Sequence, residues 1–283
     1  MIIRKPLDMV SARHASDGAG VKLMRVFGGA QPERFDPFLL LDEFGSDESS
    51  DYIAGFPSHP HRGFETITYM LQGKMEHRDH MENVGLLSDG DVQWMTAGHG
   101  VIHSEMPKQT EGKMRGFQLW LNLSAKDKMQ AAKYEDLPHA KLPRFEFDGG
   151  EIVAIAGEGQ ANDQPVKGYF SRPETEPVYW DIHSRVDAEV SLKIPEKHTA
   201  MIYVYDGQLD VCGMRLYAQH LVRLGEGELI HVANKHEGES RFLLVAGRPL
   251  QEPIVQYGPF VMNTREEIEQ AISDYKAGKL TAE

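Results

Sequence analysis

The sequence predicts an all-β fold, a sandwich or a barrel, that contains two copies of one β-unit, and three observations predict it. Short apolar segments rich in β-branched and aromatic residues recur along the chain, among them "ETITYMLQG", "GFQLWLNL" and "RFLLVAG". Turn sequences such as "SDGD" (88–91) separate them. A β-segment ending at Gly73 is matched by one ending at Gly207, and Gly90 is matched by Gly227, at offsets of 134 and 137 residues. Nearly equal offsets indicate two copies of one β-unit.

The two copies are expected to join where polar, Pro-containing sequence interrupts the strands, in "YEDLPHAKLPRFEFDGG". We therefore predict an N-terminal domain at 1–135, a linker at 136–150 and a second domain at 151–283.

Helices are expected at two places. The segment "SAKDKMQAAKYEDL" (124–137) is predicted to be partly helical. In "NTREEIEQAISDYKAGKL", Thr264 and Glu267 form a capping box, and Gly278 is placed to end the helix. Its apolar face is predicted to carry Ile268, Ala271, Ile272 and Tyr275.

Composition narrows the class of protein. The chain has 283 residues, 41% hydrophobic and 26% charged, which is typical of a globular protein. Its net charge of -13 disfavours a broad nucleic-acid or membrane-surface footprint. Cys212 is the only cysteine, so no intrachain disulfide can form, and the N-terminal sequence lacks the apolar core of a signal peptide. We expect a cytoplasmic protein, or a nuclear one in a eukaryote, with no direct nucleic-acid or membrane partner.

Two pairs of potential metal ligands stand about forty residues apart. His59 and His61 lie in "FPSHPHRGF", and His103 and Glu105 lie in "GVIHSEMP". Residues i and i+2 of a strand project from one face, so each pair is aimed in one direction. If the two strands are neighbours, four donors converge. Three imidazoles and one carboxylate suit a divalent first-row metal, and an octahedral ion would keep two positions open.

Glu65 is a second candidate for the carboxylate. It shares strand parity with His61, but four extended residues would place it about 13 Å away unless the chain turns at Arg62-Gly63. Glu105 needs no such turn. We therefore predict Glu105 as the ligand and Glu65 as a nearby group of the barrel wall.

Other histidines have weaker cases. His77 and His80, in "MEHRDHMENVG", are expected on a hairpin and facing solvent. His99, in the turn "AGHG", lies near the site along the chain and could gate the pocket or be exposed.

The segments "FPSHPHRGFETITYMLQGKMEHRD" and "GDVQWMTAGHGVIHSEMP" resemble the pirin family of the cupin superfamily. The resemblance continues in "LLLDEFG", "RGFQLWLNL", "LLVAGRPLQEPIVQYGPFVMNT" and the C-terminal helix. It implies an all-β bicupin fold: two jelly-roll-like β-barrel domains with a few short helices and a C-terminal helix. It further implies a metal only in the N-terminal domain. It also implies iron as that metal, held at the positions of His59, His61, His103 and Glu105.

The second copy can be checked by shifting the four positions by the two offsets. The shifted positions lack histidine and carboxylate, so the second domain is expected to bind no metal. They are Lys193, Pro195, Ser240 and Phe242.

The resemblance implies two functions of different classes. One is an Fe(II)-dependent dioxygenase that cleaves flavonols such as quercetin, in which Glu105 or Glu65 takes the proton of a chelating hydroxyl. Aromatic and apolar walls for a flat ring are expected from Phe56, Trp94 and Met106. The alternative is a non-catalytic, iron-dependent regulator that binds a transcription-factor complex or a metabolic enzyme. A monomer is expected. His99 stands where some family members have Arg, which puts the substrate in doubt.

Overall fold

The structure is a computed structural model that describes residues 1–282, and within that range it is built almost entirely from β-strands. The first half of the chain forms β1 (Pro6–Ser11), β2 (Arg13–Asp17), β3 (Val21–Gly28), β4 (Phe38–Ser46), β5 (Phe56–His61), β6 (Phe64–Gln72), β7 (Met75–Asp79), β8 (Val84–Leu87), β9 (Val92–Thr96), β10 (Val101–Pro107), β11 (Met114–Asn122) and β12 (Lys133–Leu137). The second half forms β13 (Arg144–Phe147), β14 (Gly150–Ala156), β15 (Glu158–Ala161), β16 (Gln164–Lys167), β17 (Val178–Ser184), β18 (Glu189–Lys193), β19 (Thr199–Asp206), β20 (Gln208–Val211), β21 (Met214–Tyr217), β22 (His220–Leu224), β23 (Leu229–Ala233), β24 (Ser240–Gly247), β25 (Val255–Tyr257), β26 (Phe260–Met262) and the helix α1 (Arg265–Lys276). None of the helices in residues 1–282 is both long and apolar enough to cross a membrane.

The chain forms two compact units, and each unit includes a terminal segment that is separated in sequence from the rest of that unit. We call the unit made of Arg13–Ala140 and the segment from Gln251 onward the histidine barrel. The unit made of Met1–Ala12 and Lys141–Leu250 is called the apolar barrel. The contiguous domains 1–135 and 151–283 stay a prediction, and the units differ from them at both ends. Strand β1 pairs with β22 of the apolar barrel, whereas α1 packs on β26 of the histidine barrel.

The two barrels use the same strand order. The histidine barrel has a seven-stranded sheet, β12-β9-β6-β11-β4-β3-β2, and a four-stranded sheet, β5-β10-β7-β8. The apolar barrel has β1-β22-β19-β24-β17-β14-β13 and β16-β15-β18-β23-β20-β21. Strands β5, β10 and β7 therefore correspond to β18, β23 and β20. This is the two-barrel, all-β architecture that the sequence predicts.

One of the two glycine matches is a true structural equivalence. Gly73 and Gly207 end β6 and β19 with φ of 102° and 76°, a region in which glycine avoids the strain of a side chain. The second match is wrong. The amide of Gly90 donates to Met70 O at 2.8 Å, and the equivalent bond in the other barrel is made by Gln219.

The Gln219 amide donates to Val204 O at 2.7 Å. Gln219 is therefore the structural equivalent of Gly90, and the offset between the two residues is 129 rather than 137. The turn between the two flanking strands is shorter in the second copy. Shifting by 137 therefore overshoots, and Ser240 and Phe242 lie on β24, the counterpart of β11 and not of β10.

The helix predictions had opposite outcomes. Residues 124–137 form turns followed by β12, so a helix there is wrong: pairing with β9 overrides the local propensity. The C-terminal helix is confirmed. The Thr264 side chain accepts from the Glu267 amide while the Glu267 carboxylate accepts from the Thr264 amide. Gly278, with φ of 67°, follows the last turn.

The interior of the apolar barrel is a hydrophobic core. Its buried members include Ala154, Trp180, Ile182, Ile202, Val204, Leu209, Val222, Phe242 and Leu244.

Candidate metal centre

Three imidazoles meet where β5 pairs with β10. The strands are antiparallel neighbours with His59 opposite His103. The ring centroid of His59 lies 4.7 Å from that of His61 and 4.4 Å from that of His103. Strand β5 also carries Pro57 and Pro60, which cannot donate to a ladder, and β5 lies at the edge of its sheet, where proline is tolerated. The predicted convergence of the two strands is therefore present.

Each of the three rings offers one donor atom, and these atoms all lie within 4.8 Å of one another. Among residues 1–282, these histidines form a cluster of side chains close enough together to hold a metal ion. His61 Nδ1 and His103 Nε2 are buried with no hydrogen-bond partner in that range. Burial, and then the neighbouring imidazoles, hold the pKa of both rings well below the usual value, so the rings are neutral and their lone pairs are available. Orphaned neutral imidazoles suit a divalent metal.

The turn after His61 is fixed by two buried cations. The Arg62 guanidinium donates to the His99 carbonyl and forms an ion pair with Asp274 of α1 at 2.7 Å. Gly63 has φ of 92° and no room for a side chain against Val261, so the chain can turn tightly here.

The second cation is Lys128. Its ammonium donates to Gly63 O at 2.8 Å, Val261 O at 3.0 Å and Asn122 Oδ1 at 2.6 Å. Burial lowers the pKa of Lys128 to about 7. The loop that follows the ligand strand is thus bound to β11 and β26.

Glu105 lies beside the three histidines without joining their donor group. It is buried, and it lines a cavity that His59 and His61 also line. Its Oε1 accepts from the Thr68 hydroxyl at 3.1 Å. Thr68 is also 2.6 Å from Gln118 Oε1. A hydroxyl has one proton, so if Thr68 donates to Glu105, Gln118 must turn its amide nitrogen towards Thr68. Glu105 as a fourth ligand stays a prediction.

Glu65 does not reach the cavity. It pairs with Leu121, whereas the next residue, Thr66, pairs with the cavity-lining Trp120. Successive side chains of a strand point to opposite faces, so Glu65 lies on the other side of the sheet. There it accepts from the Thr96 hydroxyl at 2.6 Å. A catalytic role for Glu65 is not supported by this placement, and the candidate proton acceptor that remains is Glu105.

His77 was predicted to face solvent, and this is wrong. It is 1% exposed, and its Nε2 lies 2.7 Å from His103 Nδ1. The missed signal is strand parity, since His77 alternates in step with the buried Met75. The register that places β7 beside β10 could not be read from the sequence. His80 is exposed, as predicted.

The cavity around these residues has a volume of about 610 Å³. Phe56 lines it, as predicted. Trp94 and Met106 do not line it: Trp94 shares the face of Glu65, and Met106 alternates with Glu105 on β10. The apolar walls are instead Leu23, Leu40, Phe44, Phe56, Met75 and Trp120. His99 is also absent from the walls.

A row of polar side chains crosses five neighbouring strands of the large sheet. In register order it runs Gln93, Thr68, Gln118, Asp42 and Arg25, and we call it the polar row. Arg25 donates to both oxygens of Asp42 at 2.9 and 2.8 Å, and this hydrogen bonding raises the pKa of Arg25. Gln118, Asp42 and Arg25 line the cavity. The site therefore combines metal-ligating rings with a hydrogen-bonding wall.

Known proteins match this chain over both barrels. The family described as Pirin matches residues 20–121, and the Pirin C-terminal cupin domain matches residues 179–281. A Pseudomonas aeruginosa protein provisionally named a quercetin 2,3-dioxygenase is 53% identical over 98% of each chain. Pirin of Homo sapiens is 40% identical, over 95% of this chain and 91% of its own.

A solved structure of quercetin 2,3-dioxygenase from Acinetobacter baumannii is 33% identical, with a TM-score of 0.89 over 99% of each chain. The sequence matches span nearly the whole length, and the fold agrees over the same length. The chain belongs to the pirin family, and its fold is a bicupin.

Proposed function

We propose that the histidine barrel binds Fe(II) through His59, His61, His103 and Glu105 and is a dioxygenase that cleaves flavonols such as quercetin. The observation that carries this proposal is the cluster of three imidazole donors, two of which, those of His59 and His61, line a cavity of about 610 Å³. That volume lies within the range of small-molecule sites. Relatives named as quercetin 2,3-dioxygenases support the same substrate class.

The walls of the cavity fit a flat, polyhydroxylated ring system. Phe56 and Trp120 offer aromatic surface, and the Trp120 ring centroid is 5.4 Å from that of His61. Gln118, Asp42 and Arg25 of the polar row offer both donors and acceptors. A flavonol needs both kinds of wall, because it carries hydroxyl groups around a planar aromatic body.

Glu105 is the group placed to accept the proton of a chelating hydroxyl. The Thr68 hydroxyl holds one of its oxygens, which orients the carboxylate. The other oxygen could be the metal ligand and, if it loosens from the metal, could take the proton. A bound metal supplies the Lewis acidity that lowers the pKa of that hydroxyl and the redox capacity that dioxygen chemistry requires. Iron is proposed for the second reason, since histidine and carboxylate ligands alone also accept other first-row metals.

The test is oxygen uptake by protein purified anaerobically and loaded with Fe(II), with quercetin as substrate. We expect uptake that depends on iron, is retained in His80→Ala and is lost in His61→Ala. His80 is a matched control because it is an exposed histidine of the same barrel. One bound iron per chain with no turnover would overturn the dioxygenase proposal and favour the regulatory alternative.

A further inference from the structure

We propose that His77 is a positioning residue that decides which ring nitrogen of His103 is left free for a metal. The inference rests on the proposed metal site and assigns a role to a residue outside the ligand set. His77 lies opposite Glu105 in the pairing of β7 with β10, two positions along from the pair formed by Asp79 and His103.

The contact between the rings is a nitrogen–nitrogen hydrogen bond. His77 Nε2 and His103 Nδ1 are 2.7 Å apart, so one carries the proton and the other accepts it. If His103 Nδ1 donates, His103 Nε2 keeps a bare lone pair. If His77 donates instead, a neutral His103 carries its proton on Nε2 and cannot use that nitrogen as a ligand.

The surroundings favour the first arrangement. His103 Nε2 and His77 Nδ1 are both buried with no hydrogen-bond partner in residues 1–282, so either arrangement leaves one proton without an acceptor. The carboxylates of Glu105, Asp136 and Asp79 act on the His77 ring, whereas the ionisable neighbours of His103 are imidazoles, and this favours that proton on His77. A metal at His103 Nε2 would favour the same arrangement, because it replaces the proton there. His59 shows the same device: its Nδ1 lies 2.8 Å from the Pro57 carbonyl, which can only accept, so Nε2 is the free nitrogen. Two of the three imidazoles are thus set by hydrogen bonds on one ring nitrogen.

Packing alone does not require an imidazole at position 77. Strand β20 of the apolar barrel corresponds to β7, and its buried residues are Leu209 and Val211. His77 is also outside the group of mutually close metal donors, and its Nε2 is already used by His103. The chemistry that remains for this side chain is to accept the proton of a ligand. Such supporting groups typically change metal affinity 10–100-fold.

Three variants test the inference: His77→Leu removes the acceptor, His77→Gln keeps one, and His80→Leu makes the same change at an exposed position of the same hairpin. Affinity for Co(II) is measured by competition with a chromophoric chelator. We expect about 10–100-fold weaker binding by His77→Leu, with the stoichiometry unchanged. His77→Gln is expected to recover most of the affinity, and His80→Leu to match the wild type. Equal affinity in His77→Leu and the wild type would overturn the inference.

A second readout does not need a metal. The ¹⁵N shifts of the His103 ring in the metal-free protein report which nitrogen carries the proton. We expect the proton on Nδ1 in the wild type and a mixture of tautomers in His77→Leu. A proton on Nε2 of wild-type His103 would overturn the role of His77 whatever metal is bound. Failure of the wild type to bind any divalent metal, with the proton still on Nδ1, would instead refute the proposed metal site.

Discussion

The two barrels share one strand order but have opposite interiors. In the histidine barrel the polar row crosses β9, β6, β11, β4 and β3. At the same register positions the apolar barrel has Val222, Ile202, Leu244, Trp180 and Ala154, all buried in its core. Every polar member of the row therefore has an apolar counterpart.

The difference separates folding from binding. A buried polar side chain costs free energy unless it is hydrogen-bonded, and the apolar barrel shows that this sheet can be filled without any. The smaller sheets repeat the contrast: β5 and β10 carry the three histidines, whereas the buried residues of β18 and β23 are Val190, Leu192, Ile230 and Val232. The polar and histidine positions of one barrel are thus best explained by a ligand rather than by the architecture.

The largest effect is expected from His61→Ala. Removing one of three clustered donors should lower metal content at least about tenfold, because metal affinity depends on the full ligand set. The fold should persist, since each barrel has its own core. Metal content is measured after gel filtration, with His231→Ala of the apolar barrel as the matched control. Stoichiometric metal in His61→Ala would show that His61 is not needed for metal binding by the histidine barrel.

The second largest effect is expected when two residues of the polar row are replaced by the residues that the apolar barrel has at the same positions. Thr68→Ile with Gln118→Leu should lower turnover of quercetin by about 10–100-fold, since the cavity loses hydrogen-bonding groups and the support of Glu105. Metal binding should remain. The free energy of unfolding should change little, because both partners of the Thr68–Gln118 hydrogen bond become apolar together, while Glu105 loses a single hydrogen bond. Full activity in this double variant would show that the row is not part of the binding site.

The reverse change belongs in the apolar barrel. Ile202→Thr replaces the ethyl group of a fully buried isoleucine by a hydroxyl in an apolar environment. We expect a loss of about 1–3 kcal/mol in the free energy of unfolding, with no change in metal content. Chemical denaturation measures it, and Thr68→Ile alone is the matched change at the equivalent position. A loss of metal in Ile202→Thr would contradict the separation of the two barrels.

Each barrel also has a buried cation whose pKa is lowered by burial, Lys128 in the histidine barrel and Arg4 in the apolar barrel, and the two should respond differently to pH. Arg4 donates to the carbonyls of Pro195, Glu196, His198 and Gly225, and burial lowers its pKa to about 10. The pKa of Lys128 is lowered further, to about 7. Between pH 7 and the pKa of a free lysine near 10.4, the unfolded state binds more protons at Lys128 than the folded state. Stability should therefore rise with pH across this window.

The maximum slope from one such group is about 1.4 kcal/mol per pH unit. Lys128→Met should remove this part of the pH dependence, and the readout is the free energy of unfolding at several pH values above 7. The exposed Lys126→Met serves as a charge-matched control. An identical pH dependence in Lys128→Met and the wild type would show that Lys128 keeps an ordinary pKa.

Local patterns predicted the architecture and the histidines, and failed where tertiary pairing decides. Alternation identified the strands, the spacing of His59, His61 and His103 identified their common face, and the capping box at Thr264 identified α1. The role of His77 depends on the register of β7 with β10, which no local signal specifies. The helix expected at 124–137 failed for a related reason, because β12 completes a sheet whose other strands lie far away in sequence.

Glu65 and Glu105 show how far parity arguments extend. Glu65 shares parity with His61 only if β5 continues into β6 without interruption. The turn at Gly63 resets the parity, so Glu65 faces the opposite side of its sheet from Thr66 and Thr68. The sequence allows a turn at Arg62-Gly63 but does not specify its direction.

The smallest effect is therefore expected from Glu65→Gln. Its carboxylate accepts from Thr96 on the face away from the cavity, and glutamine keeps an oxygen that can accept the same bond. Metal affinity should stay within about twofold of the wild type, while Glu105→Gln, the same change on the cavity side, should weaken it about tenfold or more. Both are measured by the chelator competition used for His77. A loss of metal in Glu65→Gln but not in Glu105→Gln would reverse the assignment of the carboxylate. It would also require the β6 face that carries Glu65, rather than the face that carries Thr68, to serve the metal.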